Sequence, residues 1–151
     1  MWNKVLKWTK GLGVCMLILS SGTLTALDFS NAFVRGLPPG QQNTAAFFTV
    51  ANTTDEPWTI VGVTTSAADH VEMHRHEHRN GMMAMREVKA LTLDPQASLT
   101  FAPGGLHLML IGLKQPLREG DRVTLQFRSE AGATVTAEFP VISVVNEHRH
   151  H

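Results

Sequence analysis

Short apolar runs alternate with turn-prone residues along most of the chain. Strand-like runs lie at 45–51, 58–64, 71–79, 82–88, 91–100 (interrupted near Pro95), 106–113, 122–128 and 134–145. No segment keeps a 3.6-residue apolar period without a breaker, so helices are not expected. Seven or eight short strands at this spacing predict an all-β domain, an antiparallel β-sandwich.

The dipeptide Asn80-Gly81 predicts a two-residue hairpin turn, because both residues tolerate positive φ. Such a turn pairs His76 with Met85 and His78 with Met83. Strand alternation then places His74 on the same face, diagonal to Met85. A longer loop would change this register.

The segment 106–110, Leu-His-Leu-Met-Leu, presents two soft or polar side chains on one face of a strand. Because side chains alternate between faces, His107 and Met109 point the same way and the three leucines point to the opposite side, into the core. A histidine within so apolar a strand needs a polar partner, and a metal ion would be one.

Length and charge remove several classes of function. A chain of 151 residues suits one domain. Lysine plus arginine and aspartate plus glutamate each number 13, so no net charge favours nucleic acid or an anionic membrane as partner. The single cysteine excludes a disulfide framework.

The first 26 residues are typical of an export signal. Lys4, Lys7 and Lys10 precede a short apolar stretch at 11–19, and residues 20–26 are small or polar. The alternative is an uncleaved membrane anchor. Cleavage predicts a periplasmic protein that keeps all eight histidines and five methionines but no cysteine. A cysteine nucleophile and a cysteine-ligated metal are then excluded, and a blue-copper electron-transfer site, which generally needs a cysteine thiolate, is disfavoured.

Histidine and methionine cluster in one part of the chain. All five remaining methionines and five of the eight histidines lie between His70 and Met109. Thioether sulfur selects Cu(I), whereas imidazole suits copper in either oxidation state. Catalytic zinc is disfavoured, because the neighbouring acidic residues do not form a metalloprotease spacing.

The spacing of four of these residues resembles a known signature. His74, Met85, His107 and Met109 form the pattern H-x10-M-x21-H-x-M, and a Gly-Gly-Leu-His-Leu-Met run occupies 104–109. The pattern resembles that of the PCu(A)C family of periplasmic copper chaperones, over roughly residues 28–145. The resemblance implies a non-enzymatic, cupredoxin-like Greek-key sandwich that binds Cu(I) through these four residues.

The resemblance also implies a partner for the protein. It implies delivery of copper toward the CuA centre of cytochrome oxidase, so the expected partner is a copper-receiving oxidase subunit or another copper-handling protein. We expect a monomer.

Additional donors surround the four residues. Hairpin geometry favours His76 as the partner of Met85, whereas the family pattern favours His74; we take His74 as the primary ligand and His76 as auxiliary. The other candidate auxiliary ligands are His78, Met83, His148, His150 and His151. Proteins of the family often have tails rich in methionine and histidine, and the resemblance implies that such a tail helps to bind a second copper, commonly Cu(II). The tail of this chain has histidine and no methionine. The expected organisation is a signal at 1–26, a copper-binding domain at 27–145 and a His-rich tail at 146–151.

Two other functions stay open at this point. An extracytoplasmic copper or zinc buffer without a delivery partner needs the same ligands as a chaperone. A purely structural sandwich, in which Met82 and Met83 only pack, predicts no metal affinity.

Overall fold

The structure, a computed structural model, describes residues 25–143, which form ten strands. The strands are β1 (Leu27–Gly36), β2 (Asn43–Asn52), β3 (Trp58–Thr65), β4 (Ala68–Arg79), β5 (Met82–Glu87), β6 (Leu91–Leu93), β7 (Ser98–Phe101), β8 (Leu106–Leu113), β9 (Arg122–Ser129) and β10 (Thr134–Ser143). The all-β prediction is confirmed. Within 25–143 there is no helix long and apolar enough to cross a membrane. The predicted signal, apart from its last two residues, and the predicted tail lie outside the described residues.

The strands form one sheet that closes on itself. The wall runs in the order β4-β8-β2-β1-β10-β9-β3, and β3 returns to β4 through the pair Val63 and Val71. Three strands lie off this ring: β5 extends β4, β6 extends β3, and β7 pairs with β2. The result is a barrel-like sheet in which β4 and β8 are neighbours.

One strand pair departs from the antiparallel prediction. β1 and β10 pair in parallel, with Val34 opposite Val141. Parallel neighbours need a long connection, and here nearly the whole domain lies between the two strands. The expectation of a wholly antiparallel sheet was therefore wrong at this seam.

Four phenylalanine rings lie among the leucines and valines of the interior. Phe48, Phe101, Phe127 and Phe139 are almost fully buried, and the Phe48 and Phe101 rings stack with centroids 4.3 Å apart. Offset-stacked and edge-to-face rings add to the stabilisation that burial provides. Since alternate residues of each wall strand point into this interior, the residues between them face outward.

Candidate metal centre

The hairpin of β4 and β5 has the predicted turn and register. Asn80 and Gly81 both have positive φ, at 50° and 78°. His76 lies opposite Met85 and His78 lies opposite Met83, so the predicted register is confirmed. Several donor residues of both strands therefore share the outward face.

β8 brings the second group of donors to the same face. Leu106, Leu108 and Leu110 are buried in the core. His107 points outward with Met109, and it pairs directly with His74 on β4. The two imidazole rings meet edge to face with centroids 5.8 Å apart.

His74 contacts Met85 across the hairpin. Its Nδ1 lies 3.2 Å from the Met85 Sδ, although Met85 is directly opposite His76 in register. Tetrahedral geometry with metal–nitrogen and metal–sulfur bonds of about 2.0 and 2.3 Å places two such donors about 3.5 Å apart. The pair is therefore spaced as two ligands of one metal ion would be.

The second nitrogen of His74 contacts a carboxylate. Nε2 lies 2.7 Å from the Glu72 Oε2. A carboxylate accepts hydrogen bonds, so Nε2 carries the hydrogen and the lone pair of the neutral ring is on Nδ1. That lone pair is on the nitrogen next to Met85. A carboxylate that orients a histidine in this way is common around protein metal sites.

His107 is held by a backbone carbonyl. It is only 5% exposed, and its Nδ1 donates a hydrogen bond to the Gly105 carbonyl oxygen at 3.1 Å. The lone pair of the neutral ring is thus on Nε2. Burial lowers the pKa of His107; the bond to Gly105 acts in the opposite direction, and the charges of His76, His74 and Arg35 lower the pKa further. Its imidazole therefore stays neutral, as a metal ligand must, to lower pH than an ordinary histidine.

Met109 lies beside this group. It is half-buried and pairs with Glu72 on β4 and Ala45 on β2. It shares the outward face of β8 with His107, two residues further along the strand. The structure thus brings His74, Met85 and His107 together and places Met109 in the adjoining position on the same face.

The other predicted auxiliary residues have varied surroundings. The His76 ring lies 5.1 Å from that of His107, centroid to centroid, and its Nδ1 is buried without a hydrogen-bond partner. His78 is exposed opposite Met83 at the far end of the hairpin. The tail candidates, His148, His150 and His151, lie outside the described residues.

Two residues that contact the candidate ligands were missed from the sequence. The Glu72 carboxylate and the Gly105 carbonyl each hold a histidine ring. Glu72 could have been found, because it precedes His74 by two residues and so shares its face. The Gly105 contact depends on the path of a loop backbone, for which the sequence has no comparable signal.

Three methionines of β5 are unusually exposed. Met82, Met83 and Met85 are 71%, 57% and 55% exposed, and they are the exposed large hydrophobic residues of the described part of the chain. Methionine side chains in globular proteins normally fill gaps in the core. Packing in the interior therefore does not explain these side chains.

Sulfur is needed to complete a metal site on this surface. Among residues 25–143, no three His, Cys, Asp or Glu side chains converge closely enough to hold a metal ion. The methionines are what distinguish this cluster.

The described strands thus form a closed β-barrel with imidazole and thioether side chains on one outward face. Residues 27–141 match the family described as "Putative lipoprotein LpqE-like", and the chain belongs to this family. The protein "Putative lipoprotein Lxx21020" of Leifsonia xyli subsp. xyli is 36% identical over 138 residues, which cover 87% of this chain and 82% of the relative.

Solved structures of PCuAC domains have the same fold. The solution structure of CuI-DR1885 from Deinococcus radiodurans is 32% identical, with a TM-score of 0.61, and the match covers 82% of this chain and 80% of that one. The apo PmoF2 PCuAC domain is 22% identical with a TM-score of 0.64, covering 79% of this chain and 91% of that one, and shows likeness of fold. The resemblance to PCu(A)C proteins is confirmed, and with it the prediction that the protein is not an enzyme.

Proposed function

We propose that this protein binds one Cu(I) ion through His74, Met85, His107 and Met109. The contact between the His74 Nδ1 and the Met85 Sδ, beside the His107 ring, is the observation that carries the proposal. Nitrogen and thioether donors in this combination favour Cu(I) over harder ions. The copper-bound relative, 32% identical, supports the same ion.

The two halves of the proposed site suit a carrier. His107 lies on a wall strand of the barrel and is almost fully buried. Met85 lies on β5, which pairs with β4 alone, and is 55% exposed. An incoming partner ligand can therefore displace the thioether first while the imidazole of His107 retains the ion.

The proposal also covers where the protein acts and where its copper goes. We propose an exported, periplasmic protein with a signal at 1–26, a domain at 27–145 and a tail at 146–151. The lipoprotein relative supports an extracytoplasmic location. We propose a cupredoxin-like sandwich that delivers copper toward the CuA centre of cytochrome oxidase. The copper-bound relative does not support the second, Cu(II), ion expected from the tail, and the proposal leaves that ion out.

Cu(I) titration against a competing chelator tests the ligands. Met85→Leu and Met109→Leu keep the side-chain volume but remove the sulfur. Each should weaken Cu(I) binding by about tenfold or more, equivalent to at least about 1.4 kcal/mol. Met82→Leu, on the same strand, is the control and should bind like wild type. Wild-type affinity in both ligand variants would contradict the assignment.

Transfer to an acceptor distinguishes a chaperone from a buffer. The copper-loaded protein is mixed with an apo CuA-domain fragment, and the absorption of the CuA centre is followed. A chaperone transfers copper faster than the same concentration of Cu(I) held by a chelator of matched affinity. Equal rates would favour the buffer.

A further inference from the structure

The Nδ1 atom of His76 lacks a partner that its burial requires. Among residues 25–143 it is the buried side-chain nitrogen or oxygen without a hydrogen-bond partner. Buried polar atoms in folded proteins nearly always have one. An unpaired imidazole nitrogen next to other metal-type donors is what a ligand position looks like before the ion binds.

The surroundings of His76 connect this nitrogen to the proposed copper site. Its ring centroid lies 5.1 Å from that of His107, closer than the 5.8 Å between His74 and His107. It is also directly opposite Met85 in the hairpin register. His76 therefore has a proposed ligand on the neighbouring strand on each side of it.

We propose that His76 is a copper ligand of this centre, a third imidazole through which the same site also holds Cu(II). This inference rests on the proposed function. Cu(II) prefers nitrogen and oxygen donors in tetragonal geometry, whereas thioethers favour Cu(I). A site with only two imidazoles and two thioethers suits the reduced ion, and a third imidazole supplies the donor that the oxidised ion needs.

The third imidazole reaches the ion by a local movement. No three His, Cys, Asp or Glu side chains within 25–143 converge at metal-binding distance in this structure. His76 is on the part of β4 that pairs with the exposed strand β5. If the His76 side chain rotates toward His107, its unpaired nitrogen binds the copper ion. The barrel wall does not change.

Cu(II) binding by ring-preserving variants tests the proposal. All proteins carry alanine at His148, His150 and His151, so that the tail supplies no imidazole. His76→Phe keeps an aromatic ring but removes both nitrogens. His78 is exposed near the turn and is not part of the proposed centre, so His78→Phe makes the same change two residues along the same face as a control. Cu(II) affinity is measured by chelator competition, and the number of nitrogen ligands by electron paramagnetic resonance.

We expect His76→Phe to lower Cu(II) affinity by about tenfold or more, equivalent to at least about 1.4 kcal/mol. The resonance spectrum of this variant should show one nitrogen ligand fewer than that of wild type. His78→Phe should change neither. Cu(I) affinity should change by less than about threefold in both variants, because the two thioethers remain. Should His76→Phe not fold, as judged by circular dichroism, His76→Gln takes its place.

The outcomes separate this inference from the proposed function. Equal Cu(II) affinity in wild type and His76→Phe, with unchanged nitrogen coupling, would overturn the role of His76 while Cu(I) binding stands. A wild-type protein that binds no Cu(I) would instead refute the proposed function itself.

Discussion

Glu72 offers a test of whether a carboxylate prepares His74 to bind copper. Its Oε2 accepts a hydrogen bond from the His74 Nε2 at 2.7 Å, which leaves the lone pair on the nitrogen that lies beside Met85. Without the carboxylate the ring can exchange its tautomer and rotate away. The change Glu72→Ala removes this constraint and leaves all four proposed ligands in place.

The structure sets the size of the expected effect. Loss of a residue that orients a metal ligand typically lowers metal affinity by about 10–100-fold. The Glu72 side chain is 30% exposed, so water screens part of its interaction and can partly replace it. We therefore expect a loss near the lower limit, about tenfold in Cu(I) affinity, equivalent to about 1.4 kcal/mol. Glu72→Gln, which keeps an acceptor oxygen, should lose less.

Glu77 provides a matched control on the same strand. Its side chain is 34% exposed and pairs with Arg86 at 3.3 Å, so Glu77→Ala removes one charge of similar exposure. Cu(I) affinity is measured for both variants by chelator competition. In the metal-free protein, nitrogen-15 chemical shifts of His74 report the tautomer directly.

We expect the His74 ring to be the Nε2–H tautomer in wild type and a mixture of tautomers in Glu72→Ala. If Glu72→Ala and Glu77→Ala bind Cu(I) equally well and the His74 shifts do not change, Glu72 does not position the ring.

Three further predictions concern stability. Burial lowers the pKa of His107 below its usual 6.5, so the contribution of this residue to the free energy of unfolding is fully present above pH 6.5 and is lost as the pH falls through the folded-state pKa. The free energy of urea unfolding of the metal-free protein should therefore fall over this range. The fall should be smaller in His107→Gln. Leu108→Ala should lower the free energy of unfolding by about 2–5 kcal/mol, because the side chain is fully buried; a loss below about 1 kcal/mol would contradict its place in the core. Gly112→Ala should destabilise the protein by more than about 1 kcal/mol, since φ is 71° and the added carbon would overlap the Asp69 carboxylate; Gly40→Ala, at φ 96° with open space around it, should have a smaller effect in the same thermal unfolding assay.

Local signals predicted most of the strands. The bounds of β8 agree with the apolar run 106–113, because a turn-forming Pro-Gly-Gly precedes it and the alternation is regular. β1 was not predicted. Its register shifts between Ser30 and Phe33, and Asn31 has a φ of 50°, so the chain does not keep a period of two there.

Non-local features could not be predicted in the same way. Nothing near β1 or β10 in the sequence indicates that they pair, because the two strands are at opposite ends of the domain. The diagonal contact of His74 with Met85 likewise depends on side-chain reach, whereas register alone points to His76. The Asn80-Gly81 turn was sufficient to predict which residues share the face, but it could not predict which ring contacts the sulfur.

β4 belongs to the barrel for only part of its length. It meets β3 through the single pair of Val63 and Val71, and its pairing with β8 ends at Arg75. One further backbone hydrogen bond, from the His76 N–H to the Gly105 carbonyl oxygen at 3.4 Å, holds β4 beside β8, and from Glu77 to Arg79 the strand pairs with β5. The end of the hairpin therefore extends beyond the barrel wall. Because this end can bend without unpairing the ring of strands, the spacing of the proposed ligands and the stability of the domain can change independently.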